Sequence, residues 1–372
     1  MALVDYSEDE GPLEPRRNPE LFGHEKTEQV LLDAVDSGRL AHAWLICGPK
    51  GIGKATLAHR FARYLLINGI GQEEGGLFGE VPAPTTTLYV SPDNPVFHRT
   101  AASGHADLLT IERGLNDKGK LRTEISVNDV REIGPFLSLT AAEGGWRVVI
   151  IDSADEMNRN AANAVLKVLE EPPSKAILLL VCHNPGSLLP TIRSRCRRLV
   201  LEIPPTDTAI KLLRQYHPDF SAENARLIIQ LCDGSIGQAL SMAEEGGLDL
   251  YLEMTRLLKT VPNLDVSALH RFADKIGKAG ADDAFRTSME LFKGWLHRLI
   301  MAVADDSAQQ TDGFSDDDIA LIHKLSNTGR LDQWLEVWEK VQHLLSRTDS
   351  VNLERKQVVL NIFLSLNETA RS

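Results

Sequence analysis

No apolar run in this 372-residue chain approaches the length needed to cross a bilayer. Its first stretch, Met1 to Arg17, lacks the basic opening and apolar centre of a signal peptide and carries Glu8, Asp9, Glu10, Pro12 and Pro15 instead. The expectation is a cytoplasmic protein whose residues 1–17 form a flexible tail. Cysteine is scarce. Cys47, Cys182, Cys196 and Cys232 lie far apart and form no C-x-x-C pair, which speaks against a thiolate metal cage or a disulfide framework and for buried free thiols. Positive charge is also short, with 40 Lys and Arg against 52 Asp and Glu, a net of −12. Phosphate neutralisation needs clustered cations, so a protein that coats DNA with its whole surface is excluded. A local basic patch, or contact with DNA through protein partners, is still open.

What is present is an ordinary globular composition, 43% hydrophobic and 25% charged, in a chain long enough for two or three domains. A helical pattern (Val30, Leu31, Ala34, Val35) leads to a strand at Trp44–Cys47 and a second helix with Leu57, Phe61, Tyr64 and Leu65 on one face. Residues 69–105 are rich in Gly, Pro and Thr and read as a surface insertion, about 71–105. Further strands are expected over Ala106–Glu112, Trp146–Asp152, Ala176–Cys182 and Arg198–Ile203. Ser126 with Asp129 makes a capping box ahead of Val127, Val130, Ile133 and Leu137, and another helix runs from Asn160 to Glu171 until Pro172 and Pro173 stop it.

Five apolar strands alternating with helices predict an α/β domain over 18–204, a parallel sheet covered on both faces. Short helices follow over 205–246, and 247–372 is helical throughout. Its densest apolar stripe is Leu291, Trp295, Leu296, Leu299 and Ile300. Trp334 and Trp338, at i and i+4, fit either a core or an interface.

Between the first strand and the second helix lies Gly48-Pro-Lys-Gly51-Ile-Gly53-Lys54-Ala55-Thr56. Gly48, Gly53 and Lys54 have phosphate-loop spacing, in which backbone N–H groups close around phosphates at a helix N-terminus and the lysine reaches the β/γ oxygens. The next position should carry a hydroxyl for Mg²⁺, and it is Ala55. Thr56 comes one residue late, about 100° round the helix. Asp152, ending a later strand, stands where a second Mg²⁺-holding carboxylate belongs. The residue after it, a water-positioning glutamate in hydrolysing members of this class, is Ser153. Asp155 and Glu156 are offset by two and three residues and read more simply as the opening of a loop.

The runs Asn163-Ala-Val-Leu-Lys-Val-Leu-Glu-Glu-Pro-Pro173 and Leu188-Leu-Pro-Thr-Ile-Arg-Ser-Arg-Cys196, with the spacing between them, resemble the AAA+ subunits of sliding-clamp loaders of the bacterial DNA polymerase III kind. His42-Ala-Trp-Leu, Asp152-Ser-Ala-Asp-Glu-Met and Asn352-Leu-Glu-Arg-Lys-Gln357 fit the same family. The resemblance implies an AAA+ P-loop domain, a small helical lid and an all-α collar. It also implies a five-subunit loader, with tau/gamma and delta-type partners, that opens the sliding clamp and places it on primer-template DNA.

By the same resemblance Arg195 is an arginine finger acting in trans. A guanidinium, always charged and planar, suits charge growing on γ-phosphoryl oxygens, and such a residue is worth ~10³–10⁵ in rate in other NTPases. The plainer alternative is one arginine of a basic cluster, Arg193, Arg195, Arg197 and Arg198, capping a strand or meeting DNA phosphate. Asn184 fits the γ-phosphate sensor of AAA+ domains and fits a turn residue equally well. Gly234-Ser-Ile-Gly-Gln-Ala-Leu240 matches the second sensor motif, with Gly237 in place of its arginine. The family's four-cysteine zinc module has no cysteine here, only His98 and His105, so no zinc is expected. Ala55, Ser153 and Gly237 together predict a subunit that holds ATP or ADP without efficient hydrolysis. The alternatives are a working ATPase motor and a module for DNA alone.

Overall fold

The computed structural model describes residues 14–69, 86–116, 119, 121–304, 316–351 and 353–371. The chain divides into two compact units, Met1–Thr208 and Ala209–Ser372.

In the first unit five strands form one parallel sheet: β1 (Ala43–Cys47), β2 (Leu108–Ile111), β3 (Arg147–Ile151), β4 (Ala176–Cys182) and β5 (Arg197–Val200). Their spatial order is β2-β3-β4-β1-β5. The central strands β1, β3 and β4 are buried at every residue, as their unbroken apolar runs require. Alternate side chains serve opposite faces. Trp44, Ile46, Val148, Ile150, Leu179 and Val181 join one core with α1 (Glu25–Asp36) and α2 (Lys54–Asn68). Leu45, Cys47, Val149, Ile151, Leu180 and Cys182 join the other. That second face is covered by α4 (Val127–Arg131), α5 (Ile133–Ser138), α6 (Arg159–Glu170) and α7 (Pro190–Arg193), after a short α3 (Pro95–Ala101) on the way. The register of β1 on β4, Ala43 opposite Leu178 through Cys47 opposite Cys182, brings both strands to their C-terminal ends together.

The capping box forms as spaced in the sequence: the Ser126 N–H donates to Asp129 Oδ2 at 2.8 Å. Two boundaries differ from the expectation. Within the supposed surface insertion, α3 is capped by Asn94 and buries Val96, Phe97 and Thr100, while Leu88 and Val90 are buried ahead of it. The seven-residue helix is too short to show a period in so mixed a sequence. Residues 70–85 lie outside the described residues. Glu14–Arg17, placed in the flexible tail, form a turn tied to the unit: the Arg16 carbonyl accepts from buried Arg63 at 2.9 Å.

In the second unit α8 (Thr206–Tyr216, which begins just before the division), α9 (Ala222–Leu231) and α10 (Ile236–Glu244) close around a small core of Ala209, Leu213, Ala225, Ile228 and Ala239. A larger core belongs to α11 (Gly247–Lys259), α12 (Val266–Gly277), α13 (Asp282–Ala304), α14 (Asp316–Ser326), α15 (Leu331–Val351) and α16 (Arg355–Thr369). Trp295 and the rest of the α13 stripe are inside it, as is Trp334; Trp338 is half-buried against the core, with the His297 ring 6.0 Å away. Among the described residues no helix is long and apolar enough to cross a membrane.

Candidate nucleotide site and the arginine at the end of α7

The C-terminal ends of β1, β3 and β4 meet around the glycine loop. Three of its glycines have positive φ, Gly48 (+147°), Gly51 (+78°) and Gly53 (+99°), conformations that side-chain-bearing residues seldom adopt. At Gly48 space is also denied, since a Cβ there would stand 2.7 Å from the Leu201 carbonyl oxygen. Gly53 is the N-cap of α2, so the first-turn N–H groups of that helix open into the loop. Residues ahead of α1 lie over it. His24 Nε2 donates to the Ile52 carbonyl at 2.7 Å, and a Cβ on Gly53 would meet Leu21 Cδ1 at 2.5 Å.

Lys54 is buried and turned inward: its Nζ donates to the carbonyls of Gly48, at 2.7 Å, and Pro49. Burial pushes its pKa down to about 8, against the pull of Asp155 and Asp152. Ala55 follows in the first turn of α2, and Thr56 is buried beside it. Asp152 stands directly after β3. Burial and the Glu112 carboxylate raise its pKa, with Lys54 opposing.

The offset acids are both engaged. Asp155 accepts two backbone N–H groups, from His183 at 3.0 Å and Asn184 at 2.8 Å. Burial alone would raise its pKa, but these bonds and its neighbours lower it overall. Glu156 pairs with Arg113 at 2.8 Å. Ser153 adopts a left-handed conformation (φ +62°), and its Oγ lies 3.1 Å from His183 Nε2.

His183, which the sequence reading passed over, sits at the junction of these groups. Burial and the ammonium of Lys54 push its pKa down to about 4, so the ring is neutral at pH 7. The place just past β4 was the only available signal for it. In its neighbour Asn184, Oδ1 accepts from the Gly186 N–H at 3.2 Å and closes a turn.

The loop therefore fits phosphate, with its glycine backbone and Lys54. It does not fit Mg²⁺ well: Ala55 offers no oxygen, Asp155 and Glu156 are taken by backbone N–H groups and by Arg113, and Asp152 itself accepts from the Ser153 N–H. Among the described residues no group of three or more His, Cys, Asp or Glu is placed to hold a metal. His105 is buried, its Nδ1 accepting from the Asp107 N–H at 3.1 Å.

Arg195 belongs to a different part of the unit. It follows α7, and its Nη1 donates to the Thr191 carbonyl at 3.0 Å while its Nη2 meets Glu170 Oε1 at 2.7 Å. In the basic run around it Arg193, Arg197 and Arg198 are exposed, and the Arg197 guanidinium stacks on the Trp44 ring at 4.7 Å. Cys196 is half-buried, while Cys47, Cys182 and Cys232 are buried, and all four are free thiols. Gly237, in the first turn of α10, belongs to the second unit and is exposed.

A parallel sheet of order β2-β3-β4-β1-β5, a glycine loop between β1 and α2, and an aspartate ending β3 define an AAA+ P-loop domain. Residues 23–205 match the model of the family described as DNA polymerase III, delta subunit. The chain is 37% identical over 195 residues to DNA polymerase III subunit delta' of Pseudomonas aeruginosa, covering 52% of this chain and 53% of that protein. It is 35% identical over 182 residues to the subunit delta' of Yersinia pestis, 49% of this chain and 47% of that one. With DNA polymerase III subunit gamma/tau of Mycobacterium tuberculosis it shares 26% over 278 residues, 73% of this chain and 44% of the other. The chain spans about half the length of the relatives it matches. Over its α/β unit it is similar to the delta-prime subunits of DNA polymerase III.

Proposed function

We propose that this chain serves as the delta-prime subunit of a clamp loader, contributing structure and one arginine rather than hydrolysis. The observation that carries this reading is the state of the loop. Lys54 is turned onto its own carbonyl oxygens, and the nearby acids Asp155 and Glu156 are engaged elsewhere. Binding a phosphate requires Lys54 to exchange the Gly48 and Pro49 oxygens for phosphate oxygens. With Ser153 where the water-positioning glutamate belongs, and Asp155 and Glu156 engaged, loss of a factor of ~10²–10⁴ in rate is expected from that alone. ATP or ADP, where bound, is held rather than turned over.

Arg195 is the group offered outward, to the γ-phosphoryl oxygens of a nucleotide on a neighbouring subunit. The partners are tau/gamma and delta-type subunits. The sliding clamp and primer-template DNA are reached through the assembled complex, in keeping with the net charge of −12, and the place of action is the cytoplasm. The two separate helical cores after the α/β domain support reading 205–246 as a lid and 247–372 as a collar that joins the subunits.

The test is Mg²⁺-dependent ATP turnover by the purified chain, with equilibrium dialysis of ADP and ATP alongside. Little or no turnover is expected. Turnover at a rate ordinary for an ATPase, abolished by Lys54→Ala, establishes the second reading, a working motor, which the retained Gly48, Gly53, Lys54 and Asp152 favour.

A further inference from the structure

Glu170 is the last residue of α6, where the unpaired C-terminal carbonyls of the helix already present negative charge. A carboxylate is disfavoured there, and a lysine or arginine would suit the helix better. Helix stability therefore does not explain Glu170. Its partner does, since the 2.7 Å contact to Arg195 Nη2 is the ion pair the structure gives this side chain.

The guanidinium is held at two points. Nη2 meets Glu170 from the end of α6, and Nη1 donates to the Thr191 carbonyl within α7. A fork whose two terminal nitrogens are held by oxygens on two different helices is restricted in the rotamers open to a free arginine. Yet these two contacts use only two of its five N–H groups. The side chain also keeps 35% of its surface exposed, so an incoming anion can still reach it.

We infer that Glu170 is a positioning residue for Arg195: it fixes the guanidinium across the α6–α7 junction, pointed outward before a partner's phosphate arrives. The inference rests on the finger role given to Arg195 above. The carboxylate does not compete for the whole fork, because the remaining N–H groups can meet phosphoryl oxygens while Nη2 stays on Glu170. Orienting a group that acts in the transition state raises kcat and leaves KM for ATP unchanged.

The experiment uses the loader reconstituted from this full chain and its partner subunits, with clamp and primed DNA, and reads kcat and KM of DNA-stimulated ATP hydrolysis. Gel filtration confirms that each variant complex assembles. Glu170→Ala is expected to lower kcat by about two- to five-fold, the rate equivalent of one part-exposed ion pair, at constant KM. Glu170→Gln, whose amide oxygen still accepts from Nη2, recovers part of that loss. In the Arg195→Ala background Glu170→Ala is expected to have no further effect, since it acts only through the arginine; a merely structural role for Glu170 would be additive.

If Arg195→Ala leaves hydrolysis unchanged, the finger reading falls and this inference with it. If Arg195→Ala is impaired while Glu170→Ala matches or exceeds the unmodified complex, or the two losses multiply, the finger stands and the positioning role is overturned.

Discussion

Asp155 offers the sharpest separation of architecture from chemistry. Its carboxylate accepts the backbone N–H groups of His183 and Asn184, at 3.0 and 2.8 Å, and so fixes the turn after β4 against the end of β3. Hydrogen bonds to a charged group contribute about 1.5–3 kcal/mol each. One of these amides is exposed, so Asp155→Ala should cost about 2–4 kcal/mol in all. The first unit has about 200 residues, for which each kcal/mol moves the melting temperature by about 2–4 °C, giving a fall of about 5–15 °C. Asp155→Asn, whose amide oxygen can accept one of the two bonds, should lose roughly half as much. Calorimetry of the intact chain measures the shift, and hydrogen exchange at the His183 and Asn184 amides, which should quicken, locates it. The pH dependence has a definite sign. The folded-state pKa lies below the ordinary 3.8, so the contribution is fully present above that value and is lost as pH falls through the depressed one. A variant that melts normally but loses nucleotide turnover would show Asp155 to be a working base and refute this reasoning.

Lys54 gives the opposite limb of the pH profile. With its pKa near 8 in the folded chain against 10.5 unfolded, the unfolded state binds more protons between those values, so stability should rise with pH across that window, by at most about 1.4 kcal/mol per pH unit. Denaturant titrations from pH 7.5 to 10.5 should show that increment in the wild type and not in Lys54→Met; identical slopes would place the ammonium in a water-like environment. Gly48→Ala should destabilise by more than the ~1–2 kcal/mol of a left-handed backbone alone, because its Cβ would meet the Leu201 carbonyl oxygen, which cannot move aside. Gly38→Ala, at φ +65° with open space around it, should cost only the backbone part, and equal losses in urea denaturation would remove the steric explanation.

Much of the fold was legible because its signals are local. An uninterrupted apolar run such as Ile177–Val181 can only be satisfied between two covered faces, and the Ser126–Asp129 spacing forms its box within four residues. The helix over Pro95–Ala101 was not legible, since seven residues hold too few turns for a period to emerge. The site divides in the same way. Gly48, Gly51, Gly53, Lys54 and Ala55 are consecutive enough to be read as a loop. His183 was hidden because its chemistry depends on Ser153 and Lys54, which lie 30 and well over 100 residues away in the chain. Asn184 fits a sensor by position, and only the structure shows that its Oδ1 also accepts from the Gly186 N–H in a turn.

The order of residues alone determined which groups the chemistry has to work with: a phosphate loop without its metal hydroxyl, a serine where a base belongs, and an arginine between Ser194 and Cys196. Composition and covalent spacing are enough for that, because they decide what functional groups exist and what a single turn or helix can bring together. Only the tertiary structure decided how those groups are spent. Lys54 faces the carbonyls of its own loop, Asp155 is held by backbone amides from the turn after β4, and Arg195 is held by the end of α6. Each of these follows from burial and from partners remote in sequence, which the packing of strands and helices sets and no local pattern records.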